Sequence, residues 1–331
     1  MGAIDKTMLP TAADIAEAAK RLAGVAVRTP LINVPVLDER LGARVFLKAE
    51  TLQRTGSFKF RGAYNRISSI PAERRAAGVV AYSSGNHAQG VAAAARLLGI
   101  RATIVMPADA PRLKRARTAA LGAEIVLYDR DGEDRAAIAA RIVQERGATL
   151  VPPYDDPLII AGQGTIGAEI VEDLARLGLA PDIVVVGASG GGLAAGISLG
   201  VKAQVPAAKF YTVEPEGFDD TLRSFQSGRR EANARLSGTI CDALMSSTPG
   251  ELTFPITQAL IGQGITASDA EVARAVRYSF EELKLVVEPG GAIGLAALLA
   301  GKVNLRGKVV VGILSGGNVD AELFARLIAD A

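Results

Sequence analysis

The sequence predicts an α/β protein with two open, twisted, mainly parallel sheets flanked by helices. Short β-branched runs alternate with alanine-rich helical stretches along most of its 331 residues. Several runs end in turns rich in glycine and serine, and 49% hydrophobic residues beside 22% charged residues supply enough material for large cores. In such folds the functional loops follow the carboxyl ends of the strands.

Seven short runs are typical of strands because they are rich in β-branched and apolar residues. They lie at residues 44–48, 78–82, 102–106, 124–128, 183–186, 209–213 and 309–314. Helical segments separate most consecutive runs, which favours parallel pairing.

Residues 72–149 contain a strand and helix cycle of their own, with helices predicted at 88–98, 112–121 and 135–146. The flanking segments 69–75 and 151–157 carry proline and polar residues, as hinges often do. We therefore predict a small mobile domain at 72–149, inserted into a large domain formed by residues 1–71 and 150–331.

The composition excludes several classes of protein. A formal charge of +2, from 37 basic and 35 acidic residues, argues against nucleic acid as a partner. The single cysteine, Cys241, allows neither an internal disulfide nor a thiolate metal site and indicates a reducing compartment, so we expect a cytoplasmic protein. Residues 1–22 do not resemble a secretory signal. The uncharged stretch 183–201 contains a glycine run, which predicts a buried strand, loop and helix and no membrane span.

A glycine-rich loop follows the strand predicted at 183–186, with the sequence Gly187-Ala188-Ser189-Gly190-Gly191-Gly192-Leu193. A helix is predicted to begin directly after it, so the loop N–H groups can converge on an anion. By itself this pattern fits either a phosphate-bearing cofactor or a nicotinamide dinucleotide, because Glu214 ends the next strand where an acidic residue would hold a ribose.

Two further strand ends carry hydroxyl groups, in Tyr82-Ser83-Ser84-Gly85-Asn86-His87 and in Ser315-Gly316-Gly317-Asn318. Lys59 lies in the run Thr55-Gly56-Ser57-Phe58-Lys59-Phe60-Arg61-Gly62. Together with the glycine loop, these segments favour a lysine that forms a Schiff base with a phosphorylated aldehyde cofactor.

These motifs resemble those of the fold type II pyridoxal phosphate enzymes, which share the fold of the tryptophan synthase β-subunit. The resemblance runs from about residue 15 to the end and is greatest to the branch of threonine and serine dehydratases, serine racemase and 3-hydroxyaspartate dehydratases. The matching motifs are residues 57–63, 84–87, 161–165, 187–193 and 315–318.

The resemblance implies a set of cofactor contacts. Lys59 forms an imine with pyridoxal phosphate and later removes the Cα proton, Phe58 lies against the ring, and Asn86 donates to the phenolic oxygen. Ser189 to Leu193 bind the phosphate, although Ser189 stands where the family commonly has glycine. Ser315 faces the pyridine nitrogen, and a neutral hydroxyl there favours β-elimination over transamination.

The resemblance also implies that Ser83, Ser84, Asn86 and His87 bind the substrate carboxylate. Threonine dehydratases tend to have alanine at the position of Ser84, whereas racemase-like and hydroxyaspartate-acting members have serine. Ser84 would then lie on the cofactor face opposite Lys59 and exchange a proton there; simple carboxylate binding is the alternative. His87 is the only histidine, so we expect a structural or substrate-loop role and no catalytic triad.

Arg135 and Ser246 fall where racemase-like relatives contact the distal carboxylate of a dicarboxylate ligand. An arginine and a hydroxyl suit such a group, although a solvated surface arginine is the alternative. The expected reaction is dehydration of 3-hydroxyaspartate to a 2-oxo acid and ammonia. Threonine or serine dehydration and serine racemisation are alternatives, and a nicotinamide oxidoreductase is a more distant one.

The acidic segment after the run 209–213 matches the racemase-like site for Mg²⁺ or Ca²⁺, with Mn²⁺ as a further alternative. Its ligands would be Glu214, the Phe218 carbonyl and Asp220, since hard oxygen ligands suit such cations. A solvated acidic turn is the other interpretation. The relatives lead us to expect a homodimer that binds a small amino-acid substrate.

Overall fold

The strands of the protein form two sheets, described here from a computed structural model. The structure describes residues 9–83, 85–110, 112–129 and 132–330. The strands are β1 Leu31–Asn33, β2 Arg44–Ala49, β3 Val79–Tyr82, β4 Ala102–Pro107, β5 Glu124–Tyr128, β6 Thr149–Leu150, β7 Ile183–Gly187, β8 Lys209–Pro215, β9 Gly264–Ala267 and β10 Val309–Leu314.

Helices cover the sheets and connect most consecutive strands. The α-helices are α1 Ala12–Leu22, α2 Pro35–Leu41, α3 Lys59–Ser68, α4 Asn86–Leu97, α5 Arg112–Ala120, α6 Arg135–Arg146, α7 Pro157–Ala175, α8 Gly192–Lys202, α9 Asp220–Ser227, α10 Thr253–Leu260, α11 Asp269–Glu281, α12 Pro289–Leu299 and α13 Ala321–Asp330. Short 3₁₀ turns lie at Glu50–Leu52, Arg54–Gly56, Ala72–Ala77 and Asp242–Leu244. Within the described ranges, every helix is too short or too polar to cross a bilayer.

The larger sheet has the strand order β1-β2-β10-β7-β8-β9. All its neighbours are parallel except β1 and β2, which pair antiparallel. Because β2, β7 and β10 are adjacent and parallel, their carboxyl ends bring the segment before Lys59, the glycine loop and Ser315 to one edge of the sheet.

The smaller sheet has the order β5-β4-β3-β6, and all its pairs are parallel. Its strands all come from the continuous stretch between Val79 and Leu150. The predicted class, two mainly parallel sheets flanked by helices, is therefore confirmed. The division into a mobile domain at 72–149 and a large domain at 1–71 and 150–331 stays a prediction.

All seven predicted strands form, with ends that differ by at most two residues. The sequence analysis did not predict β1, β6 and β9, which have three, two and four residues. Segments this short do not complete a pattern of alternation, and each of these strands lies at the edge of its sheet.

Close helix packing accounts for the motif at 161–165, which lies inside α7. A Cβ atom on Gly162 would lie 2.6 Å from Cα of Gly62 in α3, so the two backbones touch there. The motif thus brings α3, which begins at Lys59, against α7.

A buried network of charged side chains holds helix α3 in place. Arg61 is 1% exposed, and it donates to Oε1 and Oε2 of Glu50 at 2.8 and 2.9 Å and to Oε1 of Glu169 at 2.6 Å. Lys48 completes the network through a 2.7 Å bond from Nζ to Oε2 of Glu169. These bonds join β2, α3 and α7 immediately beside Lys59.

Replacing Arg61 tests this anchor. Arg61→Ala leaves the buried carboxylate of Glu50 without its cation, so we expect a loss of about 3 to 5 kcal/mol in the free energy of unfolding. The matched control is Arg146→Ala, whose pair with Glu124 is solvent-exposed and should cost less than about 1 kcal/mol. Urea denaturation of both variants measures the difference, and equal losses would contradict the role of the network.

Candidate active site

A cavity lies where loops of the two sheets meet. The residues that follow β3, β7 and β10 line it, together with the first turn of α3. Of the residues proposed from the sequence for cofactor and substrate, these line the cavity: Phe58, Lys59, Ser83, Asn86, His87, Arg135, Ser189, Gly190, Gly191, Gly192, Leu193, Ser246 and Ser315. Ser84, proposed as a second catalytic residue, lies outside the described residues.

Lys59 is the first residue of α3 and faces the cavity. Its Nζ donates to the Pro153 carbonyl at 2.6 Å and lies 5.2 Å from the centre of the Phe58 ring. The residue is partly open to the cavity, but protein surrounds the ammonium group, and this burial lowers the pKa of Lys59 to about 8. At this pKa about a tenth of the amine is neutral and nucleophilic at pH 7, a far larger share than for an exposed lysine.

The glycine loop turns sharply into α8. Gly191 has φ +91°, a conformation that side chains disfavour, and the helix begins at the next residue. Gly190 has no room for a side chain, because a Cβ atom there would overlap the Tyr154 ring. The loop therefore presents N–H groups at a helix amino terminus, which suits a phosphate.

Ser189 stands where the enzymes that this sequence resembles commonly have glycine, and its hydroxyl makes a hydrogen bond that glycine could not make. Its Oγ accepts from the backbone N–H of Ser246 at 3.1 Å. The phosphate loop is thereby bonded to the segment that carries Ser246, which also lines the cavity.

Backbone contacts join the segment before Lys59 to the segment after β10. The Phe58 N–H donates to the Ser315 carbonyl at 3.1 Å, and the Gly317 N–H donates to the Gly56 carbonyl at 2.9 Å. Ser315 is thus held beside Lys59, and it is 9% exposed.

Asn86 begins α4, and its side chain is bonded on both sides. Oδ1 accepts from Nδ2 of Asn318 at 2.8 Å, and Nδ2 donates to Oε1 of Glu288 at 2.5 Å. Burial, with the charge of Asp242 as a smaller cause, raises the pKa of Glu288 to about 8. Glu288 is therefore largely protonated at neutral pH.

His87 is 2% exposed, and its Nε2 lies 2.8 Å from the Val151 carbonyl. A carbonyl only accepts, so Nε2 carries the proton. Burial, with the nearby charge of Lys59 as a smaller cause, lowers the pKa of His87 to about 3. The imidazole is neutral in this environment and holds the segment that follows β6.

Arg135 lies at the cavity rim and is exposed, with its guanidinium 5.5 Å from the centre of the Tyr82 ring. Lys114, which the sequence analysis did not single out, is a second cation of the lining and bonds Asp242 at 2.6 Å. Asp242 also lines the cavity and matches the charge of Lys114, so of these two cations only Arg135 lacks a carboxylate partner among the described residues.

The proposed metal residues lie away from this cavity. Glu214 accepts from the N–H groups of Thr221 and Leu222 at 2.9 and 2.8 Å. Burial, and then the charge of Asp220, raises the pKa of Glu214 well above its usual value, and burial raises the pKa of Asp220 to about 6. Among the described residues, there is no cluster of three or more His, Cys, Asp or Glu side chains arranged to hold a metal ion.

Tyr154, Glu288 and Asn318 contribute to the site and were not predicted as functional residues. Glu288 had a recognisable signal, because it is the only charged residue between Lys284 and Lys302. Asn318 lay within a quoted motif, but nothing local indicated that it contacts Asn86, 232 residues away in sequence.

The site fits pyridoxal phosphate. A buried amine with a lowered pKa, a glycine turn at a helix amino terminus and a neutral hydroxyl at Ser315 meet in one cavity. Glu214 is fully buried and bonded to the backbone of α9, so it does not serve as the ribose ligand that a nicotinamide enzyme requires. The nicotinamide alternative is therefore wrong.

Comparison with known proteins agrees with this fit. The family model "Pyridoxal-phosphate dependent enzyme" matches residues 22–316. An L-threo-3-hydroxyaspartate ammonia-lyase of Pseudomonas sp is 47% identical over 95% of this chain and 97% of its own length. The enzyme of that name from Saccharomyces cerevisiae is 42% identical over 97% of both chains. The structure of maize serine racemase superposes with a TM-score of 0.90 at 36% identity and 96% coverage of both chains. The chain therefore belongs to the family of pyridoxal-phosphate dependent enzymes.

Proposed function

We propose that this protein is a pyridoxal phosphate-dependent ammonia-lyase that dehydrates 3-hydroxyaspartate to a 2-oxo acid and ammonia. The observation that carries the proposal is a cavity that combines the buried amine of Lys59 with the guanidinium of Arg135. The names of the two relatives described above support the same substrate. Threonine or serine dehydration and serine racemisation are the alternatives.

Pyridoxal phosphate, when bound, withdraws electrons from the carbon that bears the amino group and so acidifies its hydrogen. Lys59 would take this proton at Nζ, because burial lowers its pKa towards neutral pH, where a base works best. The Pro153 carbonyl, 2.6 Å from Nζ, would hold the freed amine in the cavity.

Ser315 would supply a neutral hydroxyl where the resemblance implies the pyridine nitrogen. A hydroxyl does not stabilise a positive charge there as a carboxylate does. This favours loss of the β-hydroxyl over transamination and supports a lyase.

The amino end of α4 would receive the α-carboxylate of the substrate. The helix begins at Asn86, and the residue before it, Gly85, has no side chain that could cap the helix. The first N–H groups of α4 are therefore available to an anion. Ser83 and His87 flank this point, and proton exchange by Ser84 stays a prediction. Arg135 and Ser246 would bind the distal carboxylate.

We also propose that Glu214, the Phe218 carbonyl and Asp220 bind Mg²⁺, with Ca²⁺ or Mn²⁺ as alternatives. Two buried carboxylates repel each other, and Oδ2 of Asp220 has no hydrogen-bond partner in the described part of the chain. A cation would relieve both problems and stabilise the turn into α9. The homodimer and the cytoplasmic location stay predictions.

The distal-carboxylate role is tested by ammonia release from threo-3-hydroxyaspartate, serine and threonine. Arg135→Ala removes a charged hydrogen bond, so kcat/KM for hydroxyaspartate should fall about 10- to 100-fold while the values for serine and threonine change little. Arg141→Ala is the control, because Arg141 is on the same helix and solvent-exposed. An equal loss for all three substrates would overturn the assignment.

The metal proposal is tested by thermal unfolding after chelation. Added Mg²⁺ should restore the melting temperature of the wild type, with a stabilisation of about 2.7 kcal/mol at a hundred times its dissociation constant. Asp220→Asn should abolish this response, and Glu216→Gln, in the same turn but exposed, should retain it. A response that survives Asp220→Asn would refute this site.

The lowered pKa of Lys59 predicts how the cofactor-free protein takes up pyridoxal phosphate. Only the neutral amine attacks an aldehyde, so the uptake rate should rise with pH and level off above about 8. An ordinary exposed lysine, with a pKa of about 10.4, would give a rate that keeps rising to pH 10. Stopped-flow absorbance measures the rate, and Lys59→Ala should show no stable uptake at any pH.

A further inference from the structure

The side-chain amide of Asn86 has a defined orientation. Nδ2 of Asn318 donates to Oδ1 of Asn86 at 2.8 Å and to the Thr55 carbonyl at 2.7 Å. A backbone carbonyl only accepts, so it requires the NH₂ end of the Asn318 amide at this point. That NH₂ group in turn requires the oxygen of Asn86 to face it, which turns the NH₂ end of Asn86 the other way.

The support for Asn318 is the backbone beside Lys59. Gly56 has φ +71°, and a Cβ atom on it would lie 2.8 Å from Oδ1 of Asn318, so the residue that leaves room for this side chain is glycine. The Gly317 N–H bonds the Gly56 carbonyl at 2.9 Å. Asn318 is therefore fixed by the same backbone segment that carries Lys59.

Glu288 holds the other side of the amide. It is 4% exposed, precedes α12, and its backbone N–H donates to the Gly316 carbonyl at 3.0 Å. Its Oε1 accepts one N–H of Asn86. Burial keeps this carboxyl largely protonated at neutral pH, with Asp242 and Lys114 as the charged groups that influence it. The protonated carboxyl accepts this bond through Oε1 and places no negative charge beside the cofactor.

We propose that Asn318 and Glu288 are positioning residues that clamp the amide of Asn86, so that its remaining N–H is held ready for an acceptor oxygen of the bound cofactor. That second N–H is not taken up by any residue of the described ranges, and Asn86 lines the cavity with Lys59. The inference rests on the cofactor site of the proposed function. It does not depend on which substrate the enzyme uses.

The clamp is needed because an amide is nearly symmetric in shape. Turned by half a rotation, Asn86 would present its carbonyl oxygen, an acceptor, to the acceptor oxygen of the cofactor. The hydrogen bond from Asn86 to the cofactor would be replaced by a repulsion between two acceptor oxygens, although the side chain would fill the same volume. Asn318 prevents this rotation, because its NH₂ group requires the oxygen of Asn86, and Glu288 holds the other end of the amide by accepting one of its N–H groups.

The first test measures pyridoxal phosphate affinity and the visible absorbance of the bound cofactor for Asn318→Asp. The aspartate has the same shape but donates no hydrogen bond, so affinity should fall about tenfold or more and the absorbance maximum should shift. Asn318→Ala, which removes the donor without adding charge, should lower affinity in the same direction. Asn304→Asp is the control, because Asn304 is exposed and remote from the cavity lining, and it should leave both readouts unchanged.

A double-mutant cycle separates positioning from general damage. In an Asn86→Ala background the amide is gone, so Asn318→Asp should cause no further loss of cofactor affinity. Glu288→Gln, which keeps a neutral acceptor, should bind cofactor within about threefold of wild type. Glu288→Leu should weaken cofactor affinity when Asn86 is present and should have no further effect in the Asn86→Ala background. The melting temperature of each cofactor-free variant verifies that it is folded.

Two results would overturn the inference. One is an unchanged affinity in Asn318→Asp and Asn318→Ala; the other is an equal loss in both backgrounds, which indicates a merely structural role. Wild-type protein that binds pyridoxal phosphate but releases no ammonia from 3-hydroxyaspartate would contradict the proposed substrate and leave the clamp standing. Wild-type protein that does not bind the cofactor would contradict both the proposed function and the clamp.

Discussion

Backbone hydrogen bonds between residues 56–58 and residues 315–317 are the contact on which the site depends. They join two segments more than 250 residues apart and fix the chain directly before Lys59. From that position the amine reaches the Pro153 carbonyl, Ser315 lies alongside, and Asn318 reaches Asn86. The parallel pairing of β2 with β10 makes this contact possible, because it aligns the carboxyl ends of both strands.

Burial affects charged groups in two different ways in this molecule. Around Arg61 the charges are kept and matched, since each carboxylate of the network meets a cation at hydrogen-bond distance. Around the cavity the groups are instead shifted towards their neutral forms: the pKa of Lys59 falls to about 8, that of His87 falls to about 3, and that of Glu288 rises to about 8. The matched network holds α3 in place, and the pKa values of Lys59 and Glu288, both near 8, let these two groups exchange protons close to neutral pH.

Much of the fold follows from local sequence pattern. The strands with four or more β-branched or apolar residues were predictable, as were the glycine loop and the strand-end hydroxyls, because each depends on neighbours in sequence. The short edge strands β1, β6 and β9 were not, since tertiary pairing stabilises segments too short to show a pattern.

The candidate site shows the same division between local and long-range information. Lys59, Asn86 and Ser315 were predictable from motifs, whereas the partners of Asn86 were not, because Glu288 and Asn318 are 202 and 232 residues away. The motif at 161–165 was recognisable, but its physical reason, the contact of Gly162 with Gly62, depends on how two helices pack. The proline-rich segment at 151–157 was interpreted as a hinge, and its further use as the acceptor for Lys59 required coordinates.

The serine at position 189 has an effect beyond its own loop. Because its hydroxyl accepts from the backbone N–H of Ser246, the loop proposed to bind the phosphate is joined to the segment proposed to face the substrate side chain. With glycine at this position that bond would be lost, and the Gly190 carbonyl, which accepts from the Gly250 N–H at 3.1 Å and from the Thr253 hydroxyl at 2.5 Å, would still hold the loop to this segment. In this chain the hydroxyl adds a bond to those of Gly190, so we expect a mutation that loosens the 246 segment to loosen the glycine loop as well.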